Sequence, residues 1–129
     1  MKIIGNGIDI VDNKRIERFL KSNNFINRIF TKNEILQSKK IKNKVNFFAK
    51  RFAAKEAFVK ALGIGFRNNI NFKDISVKNN KVGKPVISIS KKTKNFLMNN
   101  FKLNKYKIHL SLSDENKHSI AYVIINKQK

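Results

Sequence analysis

Cysteine is absent from this chain of 129 residues, and with it go disulfides, thiolate metal sites and thiol nucleophiles. Tryptophan is absent as well, and a single proline, Pro85, leaves no Pro-rich linker to mark a domain boundary. No apolar run approaches the ~18 residues that a membrane-spanning helix requires. The opening MKIIGNGIDIVD holds one Lys, two short apolar patches and then Asp9, which is not the layout of a secretory signal. A cytoplasmic protein with no membrane partner is the expectation. Acidic side chains are the last scarcity: eight stand against 29 basic ones, for a formal net charge of +21.

Enough apolar material is present for a core. The hydrophobic fraction is 41%, with eleven Phe, and a chain of this length buries roughly two-thirds of its unfolded surface. No repeat or low-complexity segment interrupts it, so one domain over residues 1–129 is expected. The charge invites a nucleic-acid reading, in which the chain is a small basic nucleic-acid-binding protein. Two features weigh against it. The excess is carried by Lys in a chain equally loaded with Asn and Ile, while Arg occurs only at Arg15, Arg18, Arg28, Arg51 and Arg67. The Phe residues fit helical or strand core positions and do not interleave with Arg along one face. Clusters such as SKKIKNK (38–44) and SKKTK (90–94) then read as solvated faces, and no nucleic-acid partner is expected.

Hydrophobic periodicity divides the chain into elements. KIIGNGIDIV (2–11) reads as a strand in which Gly5 and Gly7 mark a bulge or a close backbone approach. DNKRIERFLKS (12–22) reads as a short helix capped by Asp12 or Asn13, with Ile16, Phe19 and Leu20 on one face. Thr31 and Glu34 stand at capping-box spacing and open a helix over 31–40. The clearest helix covers 44–62 and is closed by Gly63. Two strands around a polar turn are expected in 75–90, a helix over 92–101, and a terminal hairpin from YKIHLSLS and HSIAYVII around the turn DENK. Strands and helices mix without a βαβ rhythm, so the class is α+β.

Two carboxylates stand in the wrong company. Glu56 lies in RFAAKEAFVKALG (51–63), where twelve residues between Val45 and Leu62 are apolar and go most of the way around the helix. Such a helix is usually buried. Lys60 follows one turn later, and an exposed Glu–Lys pair would be the ordinary explanation, worth ~0.2–0.5 kcal/mol. Asp9 sits in a strand, where Asp is depleted, between Ile8 and Ile10. Period two places it on the face of Gly7 and Val11; a solvent-facing Asp on an edge strand is the ordinary reading. Two carboxylates in apolar settings, in a chain so poor in acids, suggest a site for a hard cation. Magnesium takes one or two protein carboxylates and completes its shell with waters and substrate phosphates. A lysine beside Glu56 suits that phosphate.

GIDIVDNKRIE (7–17), RFAAKEAFVKALG (51–63), GKP (83–85) and HLSLSDE (109–115) occur in an order and spacing that resembles the 4′-phosphopantetheinyl transferase superfamily, in its holo-acyl-carrier-protein synthase branch. The resemblance runs over essentially the whole chain. It implies transfer of phosphopantetheine from coenzyme A to a serine of apo acyl carrier protein, with release of adenosine 3′,5′-bisphosphate, in support of fatty acid biosynthesis. It implies Mg2+ as cofactor and a homotrimer with active sites between subunits. Position by position, Asp9 and Glu56 match the metal-binding carboxylates, and Lys60 matches the lysine that contacts coenzyme A phosphate. Arg51, Gly63, Pro85 and His109 match positions lining the coenzyme A pocket. Arg15, Lys21 and Arg28 match the basic helix that receives the carrier protein, although KSNNFIN (21–27) replaces the arginines of many relatives. Two groups are candidates for the base that takes the serine proton: Glu56 through a water, or Lys60 with a pKa lowered by desolvation. His109 shares the polar side of its strand with Ser111, where a structural role is the ordinary one, and Asp114 and Glu115 read as turn residues. An inactive relative that only binds carrier protein is a further alternative, against which the intact Asp9, Glu56 and Lys60 stand.

Overall fold

The computed structural model describes residues 1–66 and 69–129. Its largest sheet is antiparallel, in the order β1 (Lys2–Asp12), β5 (His118–Lys127), β4 (Tyr106–Asp114). A separate hairpin pairs β2 (Ile75–Asn79) with β3 (Pro85–Ile89). The helices are α1 (Asn13–Phe19), α2 (Asn23–Ile29), α3 (Lys32–Ser38), α4 (Lys44–Leu62) and α5 (Lys91–Phe101), with one 3-10 turn at Phe72–Asp74. The α+β class and the long helix are as the sequence implied, and that helix packs on the antiparallel sheet.

Alternation along β1 decides which side chains meet the core. Gly7 and Val11 are buried on the inner face, whereas Ile8 and Ile10 point outward and are 59% and 62% exposed. The register carries this parity across the sheet: Asp9 pairs with Ala121 and Ala121 with Leu112, all on the inner face. The outer face takes Ile8, Ile10, Tyr122, Ser111 and His109.

Helix α4 covers the inner face along β1 and β5. Both readings of the two glycines hold. The β1–β5 register shifts between Ile3 and Gly5. A Cβ at Gly5 would overlap the carbonyl oxygen of Ala61, and one at Gly7 that of Ala57. Small residues on both elements thus let helix backbone rest on strand backbone. Gly63 ends α4 at φ 73°, a conformation that favours glycine.

Three local expectations need adjustment. The first helix stops at Phe19, with Asp12 as its N-cap accepting from the Lys14 amide at 2.9 Å. Helix α2 is not legible in the sequence: its stretch NNFINRI is rich in Asn, a weak helix former, and it is held by the Ser22 cap and by packing of Phe25, Ile26 and Ile29. The capping box of α3 forms as expected, but Glu34 does more than cap. It is wholly buried and ion-paired at 2.8 Å with Lys55 of α4, also wholly buried.

Candidate active site

Asp9 reaches the inner face of β1 at the margin of α4, its side chain 14% exposed. Lys60 crosses from the last turn of α4 and donates to Asp9 Oδ1 at 2.9 Å and to the Ile8 carbonyl at 3.1 Å. The lysine therefore pairs with Asp9 and not with Glu56 one turn before it. Glu56 is half-buried, and its carboxyl is held above the usual carboxylate range by burial first and by the neighbouring Asp9 charge second, with Lys60 and Arg15 opposing. The ordinary readings of both acids are overturned: Asp9 faces the helix, and Glu56 forms no ion pair among the described residues.

These groups share a cavity of about 270 Å³, whose polar lining is Asp9, Asp12, Glu56, Lys60 and Arg15, with Asp12 already engaged as the N-cap of α1, and whose apolar lining includes Phe19 and Phe52. Among the described residues no group of three or more His, Asp or Glu side chains comes together, so an all-protein metal cage is not available. Two oxygen donors that repel one another are what Mg2+ accepts when phosphates and waters fill its other positions. The residues present fit that ion.

A second and larger cavity, about 390 Å³, lies elsewhere on α4 and contains Arg51, Lys50, Pro85, Gly83, Asn46 and Asp114 among its walls. Arg51 is buried, with its guanidinium 3.6 Å above the Phe47 ring, one long bond of 3.4 Å to the Phe47 carbonyl, and no partner for Nε among the described residues. Burial lowers its pKa to about 10, with Glu34 opposing. A buried cation with an uncommitted donor beside a cavity suits an anionic group. Asp114 is engaged by Asn46 at 2.8 Å and by Lys50 at 3.5 Å.

The remaining candidates scatter. Gly63 donates to the Lys60 carbonyl at 2.9 Å and so closes the turn that bears Lys60. His109 lies on the outer face of the sheet, its Nε2 2.6 Å from Asn126 Oδ1, opposite to Asp9. Lys21 is exposed between α1 and α2, and Arg28 is exposed on α2 beside a separate hollow that includes Phe66 and Phe72. Within one chain, then, the structure unites Asp9, Glu56, Lys60 and Arg15, unites Arg51 with Pro85, and leaves His109, Lys21 and Arg28 apart. Lys55 and Glu34 are functional candidates that sequence reasoning misses. A signal for them exists, since Lys55 stands in the same apolar run that makes Glu56 conspicuous.

Comparison with known proteins identifies the family and the fold. The family profile of the 4′-phosphopantetheinyl transferase superfamily matches residues 5–123. A holo-[acyl-carrier-protein] synthase of Pelagibacter ubique (strain HTCC1062) is 55% identical over 128 residues, covering 99% of this chain and 100% of that relative. The crystal structure of holo-[acyl-carrier-protein] synthase from Neisseria meningitidis superposes with a TM-score of 0.88 at 38% identity, over 97% of this chain and 99% of that one. The synthase from Bacillus anthracis, solved in complex with CoA (3′,5′-ADP), gives 0.82 at 35% identity, over 99% and 100%. This chain belongs to the 4′-phosphopantetheinyl transferase superfamily, among its holo-[acyl-carrier-protein] synthases.

Proposed function

We propose that this protein is a holo-[acyl-carrier-protein] synthase in which Asp9, Glu56 and Lys60 form the reaction centre. The carrier serine oxygen bonds to the phosphorus next to the pantetheine arm of coenzyme A. The bond from that phosphorus to the bridging oxygen breaks, adenosine 3′,5′-bisphosphate leaves, and the serine proton passes to a base. The single observation that carries the reading is the shared cavity of Asp9, Glu56, Lys60 and Arg15 on an otherwise acid-poor chain. Asp9 and Glu56 would hold Mg2+, which supplies Lewis-acid stabilisation to phosphate oxygens when bound. Lys60, at the rim and 52% exposed, is placed to hold a phosphate oxygen. Arg15 beside them meets the acidic carrier protein; Lys21 and Arg28, which stand apart from it, are the further basic contacts that the family resemblance implies.

Arg51, Pro85, Gly63 and His109 belong to the coenzyme A site; Gly63 closes the turn that bears Lys60, but Arg51, Pro85 and His109 do not converge with Asp9 inside one chain. A homotrimer with each site between two subunits reconciles this: one chain contributes the Asp9 cavity, its neighbour the Arg51 cavity and His109. The exposed Ile8, Ile10 and Tyr122 on the outer sheet face support burial of that face in an assembly. One domain over residues 1–129, a cytoplasmic setting and a role in supplying fatty acid biosynthesis complete the reading.

The test is direct. Incubation with apo acyl carrier protein, coenzyme A and magnesium is expected to add the mass of one phosphopantetheine group to the carrier, on serine. A competent carrier that gains no mass overturns the proposal.

A further inference from the structure

Helix α4 carries Glu56 and Lys60, yet its sequence does little to fix its rotation about its own axis. Apolar residues surround most of it, and burial of apolar area has no direction. Two contacts supply that direction. On one side Gly5 and Gly7 admit Ala61 and Ala57 of α4 against β1. On the other, Lys55 places all three ammonium protons: on Glu34 Oε1 at 2.8 Å, the Ile75 carbonyl at 2.6 Å and the Phe72 carbonyl at 3.1 Å. Glu34 also accepts from the Thr31 amide at 2.9 Å and the Val77 amide at 2.8 Å. One buried ion pair thus joins α3, α4, the 3-10 turn and β2.

Such a pair is a poor source of stability, because desolvating two charges offsets most of their attraction. Its short, directional bonds hold one residue of α4 at a fixed angle and depth instead, and the next residue is Glu56. We propose that Glu34 and Lys55 are positioning residues: their ion pair sets the rotation of α4 and so places the Glu56 carboxylate opposite Asp9. This rests on the reading that Asp9 and Glu56 hold the metal. Neither Glu34 nor Lys55 lines the Asp9–Glu56 cavity, so the effect passes through the helix. A side chain tip lies ~5–6 Å from a helix axis, so a 20° turn, roughly, moves it by ~2 Å. A misplacement of ~1 Å can cost ~10²-fold in rate.

The experiment compares wild type with the double variant Glu34→Gln/Lys55→Met, which removes both charges of the pair together; Arg51 loses the attraction of Glu34, so transfer is measured at saturating coenzyme A. Mn2+ binding is followed by loss of the free-ion EPR signal, transfer by single turnover, and folding by a melting curve. The double variant is expected to melt cooperatively, to bind Mn2+ at least ~10-fold more weakly and to transfer at least ~10-fold more slowly. A lowered melting temperature with wild-type Mn2+ affinity and rate would make the pair merely structural and overturn the proposal. If the double variant does not melt cooperatively, Glu34→Asp alone, which keeps both charges and shortens the arm that holds Lys55, carries the comparison with an expected loss of ~3-fold or more in both readouts. A wild-type protein that binds no Mn2+ would overturn the metal reading and this inference together. Wild-type binding that both variants retain would overturn this inference alone.

Discussion

Two lysine–carboxylate pairs lie about one and a half turns apart on the same helix, and they have nearly the same length. Lys55 and Glu34 meet at 2.8 Å, Lys60 and Asp9 at 2.9 Å. The first pair is wholly buried, with backbone partners around both charges. The second stands at a cavity mouth, with Lys60 52% and Asp9 14% exposed, and Glu56 shares that cavity. Distance alone does not separate them; their surroundings do. A closed pair has no capacity left for a ligand. An open pair is worth only ~0–1 kcal/mol to the fold, so its members can exchange each other for phosphate or a cation at little cost.

The largest expected effect comes from emptying the open site of its anions. Asp9→Asn or Glu56→Gln is expected to lower transfer by ~10²-fold or more, since a bound metal supplies several kcal/mol of charge stabilisation. Circular dichroism should show the fold retained, and added magnesium should recover part of the rate. Wild-type rates at low magnesium in both variants would remove the distinction between the two pairs.

Much of this contrast is legible in the sequence. Glu56 and Asp9 are conspicuous because each breaks a local apolar pattern, and glycines inside a strand point to the close approach at Gly5 and Gly7. The bounds of α4 follow from apolar density and the terminal Gly63. Whatever non-local pairing sets is hidden. Lys60 takes Asp9, 51 positions away, over Glu56 one turn away. Glu34 reads as a local cap, and nothing near it announces a partner across 21 positions. Spacing along one helix describes only neighbours on that helix, whereas these choices are made by where β1 and α3 pack against it. The same limit applies to His109, whose distance from Asp9 follows from sheet parity within one chain.

Lys60 offers the next sharpest break. Lys60→Met is expected to lower turnover by up to ~10²-fold, because a charge-assisted contact to a developing phosphate charge is typically worth ~3 kcal/mol. Its effect on stability should be within the ~0–1 kcal/mol of an exposed pair. Lys60→Arg should not restore the rate, as a planar fork does not replace a compact ammonium. Single-turnover transfer at saturating coenzyme A, beside a melting curve, separates the two quantities. An unchanged rate would reduce Lys60 to a surface partner of Asp9.

Arg15 lines the same cavity but lies exposed on α1, so its contribution is expected in encounter and not in chemistry. Arg15→Ala should raise KM for the carrier protein severalfold with kcat held. The difference should shrink in high salt, where the screening length falls to ~3 Å at 1 M. Equal losses of kcat at saturating carrier protein would move Arg15 into the reaction centre.

The smallest effect is one of stability, and its sign is set by Glu56. Burial and the charge of Asp9 raise the pKa of this carboxyl, so the folded state holds its proton more tightly than the unfolded state does. The stability contributed by that proton is complete below the unfolded pKa and is lost as pH rises through the folded value. At neutral pH without metal the ionised Glu56 therefore works against the fold. Glu56→Gln should melt slightly higher than wild type at pH 7 in EDTA, with the gap closing as pH falls below the ordinary carboxylate range. Magnesium together with coenzyme A should narrow it from the other side, by stabilising only the wild type. A variant that melts lower at pH 7 would mean that Glu56 is satisfied by the fold as Glu34 is, and the two pairs would no longer differ in kind.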